Sequence, residues 1–138
     1  MVLQTMNIAM NNGEKGELIH ENEGWRKQLA LLEDENIHFK TRLADILKSD
    51  FVRSRLEELE YFQNRFLKMD EQLGLLKHEV REQLYHLQQE HFHVNGEYKK
   101  IVDVQRKLEV KIIIIKENFE KLSVEFNGYL NTHFQQLS

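Results

Sequence analysis

Apolar residues recur along this chain at alternating steps of three and four, a spacing that places them on one face of a helix. The first such stripe begins at Leu18 and ends at Ile46, and it predicts a helix over residues 17–48. Residues 1–16 contain two of the six glycines and are expected to form a flexible N-terminal tail. The first stripe consists of Leu18, Asn22, Trp25, Leu29, Leu32, Asn36, Phe39, Leu43 and Ile46.

Two further stripes follow, each after a short polar break. The break at Ser49-Asp50, whose side chains can cap a helix, precedes a stripe that predicts a helix over residues 51–93. The break at Asn95-Gly96 precedes a third stripe, which predicts a helix over residues 97–134. The second stripe consists of Val52, Leu56, Leu59, Phe62, Phe66, Met69, Leu73, Leu76, Val80, Leu84 and Leu87, and the third of Ile101, Val104, Leu108, Ile112, Ile115, Phe119, Leu122, Phe126 and Tyr129.

The segment from Val102 to Ile114 also fits a second pattern. Many of its apolar residues fall at even positions and are β-branched, which favours a strand. The helical stripe covers the longer stretch 101–129, and no partner strand is evident elsewhere in the sequence. A helix is therefore the preferred interpretation.

Short connections force neighbouring helices to run antiparallel, so the three stripes predict an all-α fold. The expected architecture is an elongated, coiled-coil-like antiparallel three-helix bundle that forms a single domain over residues 17–138. Asn22 and Asn36 fall on the first stripe itself, and we expect them to fix the register of the helices through buried hydrogen bonds.

The predicted helices differ in length, so the second and third extend beyond the start of the first. Either the N-terminal tail covers their apolar surface or a second chain does, and a homodimer or a helical protein partner is the favoured interpretation. The run Ile112–Ile115 points in nearly all directions around its helix, which indicates either central packing or a covered outer face. The expected interface residues are Leu84, Leu87, Phe92, Val94, Ile101, Val102, Ile113 and Ile114.

The composition restricts the function classes. The 138 residues include no proline and no cysteine, and 30% are charged, which is typical of long amphipathic helices and excludes a disulfide scaffold. The net charge of −4 provides no basic footprint for a nucleic-acid partner. The longest apolar run has four residues, so no membrane span is expected. The first ten residues do not resemble a secretory signal, and a cytoplasmic location is expected.

Seven histidines and many carboxylates raise the possibility of a divalent transition metal as cofactor. The pair Glu35/His38 has the Glu-x-x-His spacing that di-metal helical bundles use, because residues three apart share a helix face. Antiparallel packing would bring Glu60 and His133 to the same level, so the alternative to a binding protein is a metal site formed by Glu35, His38, Glu60 and His133. A solvated helix face is the competing interpretation of these residues.

The sequence offers no signal for catalysis. Its serines lie in helical or terminal contexts without a nucleophile elbow, and its glycines are too scattered for a phosphate loop. The favoured interpretation is therefore a non-enzymatic helical bundle that acts through protein–protein binding or self-association and has no cofactor.

The chain resembles a group of small all-helical bacterial proteins whose activity is not established. The resemblance covers most of residues 20–134, and its most specific part is the Phe-Gln-Asn-x-Phe element at residues 62–66. It implies a helical bundle. Relatives in this group carry histidines at the positions that Asn22 and Tyr61 occupy here, which would remove part of any metal site from this chain. The matching residues are Trp25, Leu29, Arg42, Leu43, Phe62, Gln63, Asn64, Arg65, Phe66, His78, Phe126, Asn127 and Leu130.

Overall fold

A computed structural model of the protein describes residues 12–89 and 97–134. Three long helices make up most of this part of the chain: α1 covers Asn12–Leu47, α2 covers Leu56–Leu87 and α3 covers Glu97–His133. A 3₁₀ helix, Asp50–Arg55, precedes α2. The helices pack antiparallel, α1 against α2 and α2 against α3, which confirms the predicted all-α three-helix fold.

The helix boundaries differ from the prediction at three places, one of which is the end of α2 at Leu87 rather than at residue 93. The first helix begins at Asn12 rather than at residue 17, so residues 12–16 are helical and not part of a flexible tail. The second α-helix begins at Leu56 rather than at residue 51, because the 3₁₀ helix occupies the residues between them. The break after α1 lies where it was predicted, and there the Ser49 amide donates to the carbonyl oxygen of Ile46 at 2.9 Å. Residues 1–11 and the break at Asn95-Gly96 lie outside the described residues.

The segment 101–115 is helical throughout, which confirms the choice of helix over strand. Its buried apolar side chains, Ile101, Leu108, Ile112 and Ile115, follow the helical period rather than the even positions. Within residues 12–89 and 97–134, no helix combines the length and the apolar character needed to cross a membrane.

The helices contribute to two compact units. Unit 1 takes its described residues from Met1–Ala30 and Gly74–Ile113, and unit 2 takes them from Leu31–Leu73 and Ile114–Ser138. The core of unit 1 is mostly aliphatic and contains the single tryptophan, Trp25. Its buried apolar residues are Trp25, Leu29, Leu76, Val80, Leu84, Leu87, Ile101, Leu108 and Ile112.

The core of unit 2 is rich in aromatic rings. Phe66 and Phe126 meet edge to face with ring centroids 4.9 Å apart, and Phe39 contacts both of them at 5.6 and 5.5 Å. Such geometries add to the stabilisation that apolar burial already provides. Phe62 and Phe119 extend the cluster, and aliphatic side chains from all three helices surround it.

Candidate functional site

Two buried glutamines connect the three helices of unit 1. The Gln83 side-chain amide donates to the carbonyl oxygen of Ile101 at 2.9 Å and to Oε1 of Gln105 at 3.0 Å. The Gln105 amide donates in turn to the carbonyl oxygen of Leu18 at 3.0 Å and to Oε1 of Glu21 at 2.9 Å. Residues from α1, α2 and α3 therefore share one hydrogen-bond network inside an otherwise aliphatic core.

The network ends at the surface in an ion pair. The guanidinium of Arg106, on α3, contacts the Glu21 carboxylate that also accepts from the Gln105 amide. Nη1 of Arg106 lies 2.9 Å from Oε2 of Glu109. The hydrogen bond with Glu21 raises the pKa of Arg106, which stays protonated. Glu21 therefore receives a buried amide on one side and an exposed guanidinium on the other.

The two asparagines of the first stripe are fully buried, as expected of register residues. The Asn22 amide donates to the carbonyl oxygen of Val80 at 3.0 Å. The Asn36 amide donates to the carbonyl oxygen of Phe66 at 3.1 Å and to Oδ1 of Asp70 at 2.7 Å. Both side-chain oxygens are buried without a hydrogen-bond partner among the described residues. Each asparagine thus ties α1 to one level of the α2 backbone.

Three of the expected interface residues, Leu84, Leu87 and Ile101, are instead buried inside the chain. A second chain is not needed to cover these three residues, because α1 of the same chain contributes to their burial. Its first turns bring Leu18 and Ile19 against the cluster of Leu87 and Ile101. The half-buried Val102 packs against the same cluster, while Phe92 and Val94 lie outside the described residues.

The remaining two expected interface residues lie on the outer face of α3. Ile113 and Ile114 are 51% and 49% exposed, and Val110, one turn earlier, is 54% exposed. Two charged and exposed residues, Lys107 and Glu120, border them along the helix. We name these five residues the outer face of α3. Two further exposed charged residues, Arg106 and Glu117, also lie beside its apolar centre.

The four expected metal ligands lie on exposed positions. Glu35 and His38 are on α1, Glu60 is on α2, and His133 is the last residue of α3, where its ring contacts that of Tyr129 at 4.8 Å. The described part of the chain contains no group of three or more histidine, aspartate or glutamate side chains placed to hold a metal ion. The metal alternative therefore gains no support from this geometry.

A hydrogen bond near the end of α3 shifts two titrating groups in unit 2. The Tyr129 hydroxyl donates to Oε2 of Glu58 at 2.7 Å. This bond lowers the pKa of Glu58, which lies at the surface. Burial, followed by the same bond, raises the pKa of Tyr129 to about 12.

Sequence reasoning missed the glutamine network, although a signal for it was present. Gln105 lies four residues after Ile101 and three before Leu108, so it continues the stripe. Val104 was assigned to that place because it is apolar, yet Val104 is exposed and Gln105 is buried. Gln83 falls on the second stripe in the same way, three residues after Val80. The position of a residue in the repeat therefore predicts its burial better than the polarity of its side chain does.

No protein-family model, curated protein or solved structure matches this chain. The resemblance to small helical bacterial proteins stays a prediction.

Proposed function

We propose that this protein acts by binding rather than by catalysis, and that its partner is a second copy of the chain docked on the outer face of α3. The observation that carries the proposal is the exposure of Val110, Ile113 and Ile114. They lie within about one helical turn, on a helix whose opposite side is buried. Clustered exposed apolar side chains of this kind mark interaction surfaces more often than isolated ones do.

The charge distribution along α3 favours a second copy in the antiparallel orientation. Residues 97–112 contain five basic and three acidic residues, whereas residues 113–133 contain two basic and three acidic residues. A two-fold axis that passes between Ile113 and Ile114 brings Ile113 of one copy opposite Ile114 of the other. The same axis brings Lys107 of one chain opposite Glu120 of the other, because the two residues are equally far from it.

The interior polar groups support binding rather than catalysis. Among the described residues, the buried polar side chains are the amides of Asn22, Asn36, Gln83 and Gln105, and amides do not gain or lose protons near neutral pH. Their partners are backbone carbonyl oxygens, each other and two carboxylates. This arrangement positions helices, which is what a binding scaffold requires.

Sedimentation velocity over about 1 to 100 µM, where homodimers of moderate affinity dissociate, tests the proposal. We expect a species of twice 16.6 kDa that the double variant Ile113→Ser/Ile114→Ser converts to monomer. Leu75→Ser, which alters an exposed apolar residue on α2, is the matched control and keeps the dimer. A wild-type protein that remains monomeric at the highest concentration contradicts the proposal.

A charge exchange tests the orientation of the two copies. Lys107→Glu places like charges opposite each other and weakens the dimer, whereas Lys107→Glu combined with Glu120→Lys restores attraction and association. A parallel dimer brings Lys107 to Lys107 instead, so there the single variant does not weaken association through Glu120 and the double variant restores nothing.

A further inference from the structure

A groove of about 490 Å³ runs between α1 and α2 in unit 1, away from the outer face of α3. Four of its side chains are basic: Arg26 and Lys27 on α1, and Lys77 and Arg81 on α2. One carboxylate, Glu23, accompanies them. The lining residues are Glu23, Arg26, Lys27, Leu29, Ala30, Lys77 and Arg81.

The groove is positively charged, whereas the chain as a whole has a net negative charge. The protein has a net charge of −4, yet the groove has four cations and one carboxylate. Lys77 and Arg81 are four residues apart on one helix, a spacing at which like charges destabilise the helix. An anion bound between the arginines of the two helices would offset the repulsion among these charges.

The other cations that link helices in unit 1 have carboxylate partners. Arg106 pairs with Glu21, and the Lys111 ammonium lies 2.6 Å from Glu79. In the groove, by contrast, Arg26, Lys27 and Arg81 have no carboxylate within 4.0 Å among the described residues. Their charges are thus available to a ligand.

The groove is open and has an apolar floor. Leu29 is fully buried beneath it, and Ala30 adds only a methyl group to its wall. Gly74 lies three residues before Lys77 on the same face of α2, and a Cβ there would meet no atom within 4 Å. A compact ligand can therefore approach the basic side chains without displacing a bulky one.

We propose that this groove binds a compact polyphosphate anion, such as the di- or triphosphate group of a small phosphorylated molecule. Arginine forks pair with phosphate oxygens two at a time, and Arg26 and Arg81 provide one fork from each helix. The volume lies in the range of small-molecule sites. The net negative charge of the chain disfavours extended polyanions such as nucleic acid, which require a broad basic surface.

Isothermal titration calorimetry with inorganic tripolyphosphate tests the proposal on the full chain. We expect one anion per chain, and a loss of about tenfold in affinity for each arginine replaced in Arg26→Gln/Arg81→Gln. The control Arg53→Gln/Lys68→Gln also removes two positive charges, but from exposed positions outside the groove, and leaves the affinity unchanged. Circular dichroism confirms that both variants remain helical.

Three outcomes overturn the proposal. The first is the absence of binding to the wild-type chain, and the second is an equal loss in both double variants, which indicates diffuse attraction. The third is tighter, groove-dependent binding of single-stranded polyuridylate or of vesicles containing phosphatidylserine, which assigns the groove to a macromolecular surface. The dimer proposal is tested independently of this one, because Ile113→Ser/Ile114→Ser changes no residue that lines the groove.

Discussion

The side-chain amide of Gln105 lies 3.0 Å from the backbone carbonyl oxygen of Leu18, 87 residues earlier in the chain. Through this bond α3 is aligned with the first turns of α1, and through Gln83 it is also aligned with α2. The carbonyl of Leu18 lies within α1, so the bond uses a second lone pair of an oxygen that can also accept from its own helix. A polar side chain thus fixes the level at which three helices meet.

Replacing Gln105 with leucine is expected to lower the free energy of unfolding by about 1–3 kcal/mol, because Gln83 and Glu21 each lose a hydrogen-bond partner. The double variant Gln83→Leu/Gln105→Leu recovers part of this loss, since it no longer leaves an amide poorly paired in the core. Urea denaturation of both single variants and the double variant gives the coupling energy. Additive losses would show that the two glutamines act independently.

Asn22 and Asn36 should respond in opposite directions to replacement by leucine. Asn22 makes one hydrogen bond and buries an unpaired oxygen, so Asn22→Leu is expected to raise stability by about 1 kcal/mol. Asn36 also donates to Oδ1 of Asp70, so Asn36→Leu is expected to lower stability by about 1–2 kcal/mol. Thermal melts of the two variants test this, and a shift of both in the same direction contradicts it.

Gly74 offers a stabilising substitution. It lies inside α2, where glycine costs conformational entropy, and a Cβ would meet nothing within 4 Å. Gly74→Ala is therefore expected to raise the free energy of unfolding by about 0.5–1 kcal/mol. Ala30→Gly on α1 is the matched control, with a loss of similar size. A loss of stability in Gly74→Ala would mean that a Cβ at this position meets a neighbouring group, which contradicts the prediction.

The bond between Tyr129 and Glu58 predicts a loss of stability at high pH. Because the folded protein raises the pKa of Tyr129 from 10.0 to about 12, the native state holds this proton more tightly than the unfolded chain does. The contribution is complete below about pH 10 and disappears as the pH rises through 12. Urea midpoints measured from pH 9 to 12 should therefore fall less steeply for Tyr129→Phe than for the wild type.

Two other tyrosines provide the background for this comparison. The hydrogen bond with Glu125 raises the pKa of Tyr61, and burial raises that of Tyr98. Both therefore add to the alkaline loss of stability, and the exposed Tyr85 provides the control variant Tyr85→Phe. At the acidic end, the lowered pKa of Glu58 makes its contribution present above pH 4.5 and lost as the pH falls below it. The same Tyr129→Phe variant should reduce this acid dependence.

The sequence predicted the architecture because the periodicity of its apolar residues depends on backbone geometry alone. The stripes identified the three helices, and Asn22 and Asn36 were recognised as register residues because they interrupt a stripe of apolar side chains. The start of α1 was placed too late. Its first residues include glycine and charged side chains and carry no apolar stripe, and only the next residues, Leu18 and Ile19, pack on Leu87 and Ile101.

The candidate sites were harder to predict than the fold. Gln105 was overlooked in favour of Val104 because a valine is the usual core residue, and only the complete network makes burial of a glutamine favourable. The basic groove was also missed. Its cations come from two helices and are about 50 residues apart in the sequence, so their convergence depends on the relative level of α1 and α2. That level is set by tertiary hydrogen bonds such as the one from Asn22.

The placement of Trp25 has a practical consequence for following the protein in solution. It is the single tryptophan of the chain, it is 6% exposed, and it belongs to unit 1, whereas the phenylalanine cluster belongs to unit 2. Its fluorescence therefore reports on one unit alone, while the far-ultraviolet dichroism of the helices reports on both. Coincident unfolding curves from the two signals would show that the chain melts as one cooperative body, and separated curves would give each unit its own melting temperature.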